Sequence, residues 1–149
     1  MFSYSFKHFN ELSVNELYDI FLLRQQIFVV EQCCAYHDID EFDKQSFHLM
    51  IYNPEQKQLI ACLRYIPKGA RYKNVSEIGR VVVNKTYRNK GIGSNLVGRC
   101  IEYVKTENPS CPIVIRALDY LANFYIKQGF IVRSEVYEED GFYYIDMSL

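Results

Sequence analysis

The residues best suited to chemistry lie in the segment Arg88-Asn89-Lys90-Gly91-Ile92-Gly93. It follows the apolar run Val81-Val82-Val83 and leads into Ile92, Leu96, Val97, Cys100, Ile101 and Val104, which recur at helical spacing. A strand-to-helix loop is predicted. Its two glycines let the backbone turn and approach a ligand with no Cβ in the way. The free N–H groups of the first helical turn and the helix dipole favour an anion such as a pyrophosphate. Arg88 and Lys90 add positive charge beside it. A P-loop would require G-x-x-x-x-G-K-[ST], which occurs nowhere in the chain. A dinucleotide fingerprint would require a third glycine where Leu96 stands. The pattern left is R-x-x-G-x-G, which a plain helix start can also show.

Carboxylates form the second candidate set. Glu77 falls in a predicted strand, and strand parity places it on the face of Gly79 and Val81. An ammonium titrates near 10 and a free carboxylate near 4.3, a gap of about 8 kcal/mol. Glu77 therefore serves as a base only if burial raises its pKa or water relays the proton. Its plain reading is the start of a strand. Glu31, Asp38 and Asp40 could draw a cationic amine, and they equally suit a solvated loop with Asx turns. Arg80, on a predicted central strand, is expected to pair with one of these acids in a structural role. Cys33, Cys34, His37 and Asp38 match no zinc spacing, so no metal site is expected. His8, His37 and His48 read as structural. No G-x-S-x-G elbow or Cys/His signature supplies a nucleophile.

The frame that must position these residues is modest in size. At 149 residues the chain is expected to be one domain, 1–149, and 49% hydrophobic composition is that of a globular protein. Seventeen Lys and Arg against 18 Asp and Glu leave a net charge of −1, which gives nucleic-acid binding no support. Five cysteines without a signal-like leader suggest reduced thiols and a cytoplasmic location. No apolar run reaches membrane-spanning length. Strands are predicted over residues 2–9, 46–53, 58–67, 76–83 and 112–117, with two more flanking Asp140-Gly141, a hairpin signal. Ser13 and Glu16 form a capping box opening a helix over 14–30. Further helices are expected over 92–106 and from 120 to the C′ glycine Gly129. This alternation predicts an α/β fold: a twisted, mostly antiparallel mixed sheet with helices on both faces.

The R-x-x-G-x-G loop resembles the coenzyme A loop of the GCN5-related N-acetyltransferase (GNAT) superfamily. Asn123-Phe124-Tyr125-Ile126-Lys127-Gln128-Gly129-Phe130 is similar to that superfamily's second signature, the helix near the cofactor thiol. Three further blocks resemble its ElaA-type branch: Phe28 to Gln32 with Tyr36 to Asp40, Ile78 to Val81, and Glu135 to Gly141. Leu118 and Tyr144 depart from that branch, which tends to carry Gln and His there. The resemblance spans the whole chain.

The resemblance implies an acyl-CoA-dependent N-acyltransferase, with acetyl-CoA or coenzyme A as co-substrate and a primary amine, small-molecule or peptide, as acceptor. It implies a splayed fourth strand whose backbone around Val81, Val82 and Val83 pairs with pantetheine, and residues 88–93 holding the pyrophosphate. Asn123 would touch the cofactor and Tyr125 would protonate the leaving thiolate. Glu77 stands eleven residues before Arg88, where histone-acetylating relatives carry a general base. Two alternatives stay open: a coenzyme A-binding regulatory module without turnover, and an acyl-homoserine-lactone-synthase-like enzyme. The terminal hairpin offers an edge that could support a homodimer.

Overall fold

Apolar positions alternate along the strand segments, and on pairing this pattern gives a sheet with two buried faces. A computed structural model describes residues 1–149. Its strands are β1 (Ser3–His8), β2 (Phe47–Asn53), β3 (Gln58–Ile66), β4 (Ser76–Val83), β5 (Ile113–Leu118), β6 (Ile131–Val132), β7 (Tyr137–Glu139) and β8 (Phe142–Ser148). They form one sheet in the order β1-β2-β3-β4-β5-β8-β6, with β7 also paired to β8. Only the β4–β5 pair is parallel; the others are antiparallel. The mixed α/β architecture is the one expected. No helix is long and apolar enough to cross a membrane.

Helix α1 (Val14–Arg24) starts at the predicted capping box: Glu16 N–H donates to Ser13 Oγ at 3.0 Å, and Ser13 N–H donates to Glu16 Oε1 at 2.9 Å. The predicted helix continues to Glu31, but Gln25–Glu31 is π-helical. Wider turns shift the phase of the side chains, and such segments often occur at functional sites. Helix α1 covers one face of the sheet through Ile20 and Leu23, and Ile27 of the extension joins them over Met50, Leu59, Cys62 and Val82. Helix α2 (Ile92–Glu107) and helix α3 (Ala122–Lys127) cover the other. There Leu96, Val97, Cys100, Val104, Tyr125 and Phe130 join a core of 19 buried residues.

The acid-rich segment 32–45 is largely exposed and makes the expected Asx turn at Asp40, whose Oδ1 accepts from the Phe42 N–H at 3.0 Å, but its acids are not all solvated. Asp38 and Asp43 are buried, and with Asp40 they meet three arginines. Arg24 donates to Asp38 Oδ2 at 2.8 Å and to Asp43 Oδ1 at 2.6 Å. Arg64 donates to Asp40 Oδ1 at 2.6 Å and Asp43 Oδ1 at 3.0 Å. Arg80 reaches Asp38 Oδ1 at 2.8 Å and the Asp38 carbonyl at 3.0 Å. The expected pairing of Arg80 with one of these acids is found. The network ties α1, β3, β4 and the segment before β2 together.

Burial pushes the Asp43 carboxyl upward, but the hydrogen bonds and charge of Arg24, then Arg64, hold it below its ordinary value. A depressed folded-state pKa gives stability that is present above the unfolded value and lost as pH falls through the folded one. Asp43→Asn, which leaves two buried guanidiniums short of charge, is expected to cost about 3 kcal/mol at pH 7. Denaturant midpoints should show that difference shrinking as pH drops below the ordinary aspartate range.

Candidate active site

Strands β4 and β5 pair through only two positions, Ser76 with Ile113 and Glu77 with Val114. Past this point β5 stays paired with β8 on its other edge, from Val114 to Leu118. Strand β4 stays paired with β3. The two strands therefore diverge as a fork, and from Ile78 to Val83 the inner edge of β4 has no strand partner. An unpaired strand edge recruits an extended chain rich in amides.

A bulge shapes this edge. Cys62 pairs with Val82 and Arg64 with Gly79, so one extra residue of β4 is accommodated between them. Arg80 carries the strain, at φ +50°. A left-handed backbone at a non-glycine residue costs about 1–2 kcal/mol, here offset by the ion pairs to Asp38 and Asp40. The bulge corrects the parity expected for Glu77. Val81 and Val83 pack toward the α2 core, while Val82 is buried beneath α1. The Val82 side chain is a core element.

The glycine loop is built as its spacing suggested. Gly91 caps α2 at φ +77°, and Asn89 before it has φ +62°. The first helical bond runs from the Asn95 N–H to the Gly91 carbonyl at 3.1 Å. The N–H groups of the turn before it have no partner within the helix. Gly93 lies where α2, α3 and β4 converge: a Cβ there would stand 3.5 Å from the Phe124 ring and 3.7 Å from Val83. Two charged residues behave differently from expectation. Arg88 does not lie free beside the amides: it donates to the Val83 carbonyl at 3.0 Å and to Glu31 Oε2 at 2.8 Å. Glu31 is accordingly an ion-pair partner of the loop, not an open acid. Lys90 rests over the Tyr87 ring, 5.6 Å from its centroid.

Helix α3 carries Tyr125 into the core, with edge contacts to Phe124 at 4.9 Å and Phe130 at 5.9 Å between ring centroids. Burial pushes its phenol up to about 12, so it stays protonated at neutral pH. Asn123 is exposed on the first turn of α3. Glu77 stands at the vertex of the fork. One of its oxygens meets Arg71 at 3.4 Å, and the other is buried with no partner. Burial raises its pKa despite the nearby charges of Arg71, Arg64 and Arg80. This is the burial the sequence argument required of a carboxylate base.

The acidic acceptor site expected at Asp38 and Asp40 is not what the geometry gives. Arg24, Arg80 and the Tyr36 hydroxyl occupy both Asp38 oxygens. Arg64 and Arg80 take up Asp40. Sequence reading missed Arg24, Arg64 and Asp43. The only signals were charge at apolar-patterned positions for Arg24 and Arg64 and one acid among several for Asp43, since the partners lie 14 to 24 residues apart. Leu118 and Tyr144 are direct cross-strand partners, and Arg116 lies 3.9 Å from the centroid of the Tyr144 ring.

A divergent parallel pair, a bulged strand and a glycine loop opening a helix make up a mixed α/β fold shared with solved acyltransferases of one family. The profile of the Acetyltransferase (GNAT) domain matches residues 25–149, and the chain belongs to that family. Within it, a UPF0039 protein of Schizosaccharomyces pombe is 41% identical over 97% of this chain and 94% of its own. The crystal structure of Escherichia coli ElaA superposes with a TM-score of 0.92 at 35% identity, covering 99% of both chains. An acyl-CoA N-acyltransferase from Pseudomonas aeruginosa gives 0.91 at 33%, again over 99% of both. A CoA-dependent acyl-homoserine lactone synthase, at 14% identity and TM-score 0.76, shares the fold alone.

The two loop glycines should respond differently to substitution. Gly91→Ala meets no neighbour but is strained at positive φ, and should lower stability by about 1 kcal/mol. Gly93→Ala makes only ordinary contacts and should shift the melting temperature less. Thermal denaturation of the two variants checks the ranking.

Proposed function

We propose that the chain transfers an acetyl group from acetyl-CoA to a primary amine. The observation that carries this reading is the unpaired inner edge of β4 between the fork and the glycine loop. The backbone around Val81 and Val83 would hold the pantetheine amides as an added strand. The free N–H groups over residues 89–94, with the α2 dipole, would hold the pyrophosphate. Acetyl-CoA supplies an activated thioester that a neutral amine attacks directly.

The residues at the fork supply the rest. Catalysis is chiefly the positioning of two substrates, and its scale is set by effective molarity. Tyr125, protonated by virtue of its burial, would donate its hydroxyl proton toward the departing thiolate. Glu77, with one buried oxygen unsatisfied, would accept the amine proton, directly or through water. Asn123 would make a polar contact to the cofactor. The acceptor approaches on the side of Glu77, and its identity is read by a panel of amines.

Calorimetric titration with acetyl-CoA, CoA and 3′-dephospho-CoA, followed by thiol release across amines, tests the reading. Binding with thiol release is expected. Binding without release from any amine would favour a regulatory coenzyme A module, and absence of binding would remove the reading. Tyr125→Phe should lower kcat on the order of a hundredfold while acetyl-CoA affinity stays nearly constant. An equal loss of affinity would take Tyr125 out of the thiolate role. Glu77 acts only when ionised, so the rate should climb with pH through its raised pKa. Glu77→Gln should lack that acidic limb in a kcat/KM profile.

A further inference from the structure

We infer that Glu31 is a positioning residue for the coenzyme, acting through Arg88; this rests on the reading of residues 88–93 as the coenzyme A loop. Arg88 makes two contacts in different directions. Its Nε donates to the carbonyl of Val83, the last residue of β4. Its Nη2 donates to Glu31, 57 residues away in sequence and the last residue of the π-helical extension of α1. The guanidinium is thus held between the end of β4 and the end of the α1 extension. An unrestrained arginine there would sweep many rotamers, and ordering it would oppose ligand binding. Fixed by Glu31 and the Val83 carbonyl, it is ordered before the ligand arrives.

Glu31 is well placed to hold something still. The helix it ends is anchored seven residues earlier by Arg24, whose guanidinium is buried among Asp38 and Asp43. The Glu31–Arg88 pair itself is about one-third exposed on each side, and pairs so exposed contribute little to folding. Removing it tests the coenzyme and leaves the fold standing. The sign is decisive. A bare negative charge near a polyanion weakens binding, so an effect of charge alone makes every neutral variant bind more tightly. Positioning makes Glu31→Ala bind more weakly.

The experiment measures acetyl-CoA affinity by calorimetry and steady-state kinetics for Glu31→Ala, Glu31→Gln, Arg88→Ala and the Glu31→Ala/Arg88→Ala double variant. Glu31→Ala should weaken binding five- to tenfold and raise KM for acetyl-CoA, with kcat changed less than twofold. Glu31→Gln, which keeps an oxygen acceptor for Arg88, should recover most of the loss. In the Arg88→Ala background the Glu31→Ala change should cause no further loss, and removal of the now unpaired charge should if anything tighten binding. Tighter binding in both neutral variants, unchanged binding, or a full additional loss without Arg88 would each overturn the inference. A wild-type chain that binds no acetyl-CoA would remove the coenzyme loop reading and this inference together, an outcome distinct from wild-type binding that ignores Glu31.

Discussion

Three buried or half-buried arginines cannot stand in a protein interior unless equal negative charge meets them. Arg24, Arg64 and Arg80 are met by Asp38, Asp40 and Asp43. That requirement fixes more than the charges. Arg24 ends α1, Arg64 stands near the end of β3, and Arg80 is the bulge residue of β4. The acids come from one short stretch before β2 that meets all three. The π-helical extension begins just after Arg24 and the bulge is at Arg80, so this stretch holds a residue at each.

The fork has a simple topological origin. Strand β4 ends an antiparallel run begun at β1, and β5 reaches it through α2 as a parallel neighbour. Pairing is satisfied for two residues, after which β8 claims β5 and β3 keeps β4. Unpaired main-chain groups are costly to leave without a partner, and water or an amide-rich ligand can supply one. Glu77 lies at the last paired position, so the carboxylate proposed as base stands where the strands open.

Much of this was legible in the sequence because local rules carried it. The Ser13–Glu16 box, the helical period over Ile92 to Val104 and the Asp140-Gly141 turn each constrain a few neighbouring residues. The glycine loop was legible for the same reason, since a left-handed Gly91 is a local need. The bulge was not. Arg80 has no propensity for its backbone conformation and adopts it under contacts with residues about forty positions away. With the bulge went the parity of Glu77 and Val81. The acids of 32–45 were visible as acids, but their partners were set by tertiary packing, so an open acceptor site was expected where closed ion pairs stand. Leu118 and Tyr144 were noted separately, and their facing positions on β5 and β8 make them one local variation.

The bulge at Arg80 also works as a phase marker. Upstream of it, odd-numbered residues of β4 look toward α1; downstream, even-numbered ones do, as Gly79 and Val82 illustrate through their partners Arg64 and Cys62. The two ends of β4 can thus satisfy two different cores while the strand remains continuous. A chain one residue shorter at the bulge would turn the valines before the glycine loop inside out, with the backbone that faces the fork reversed along with them.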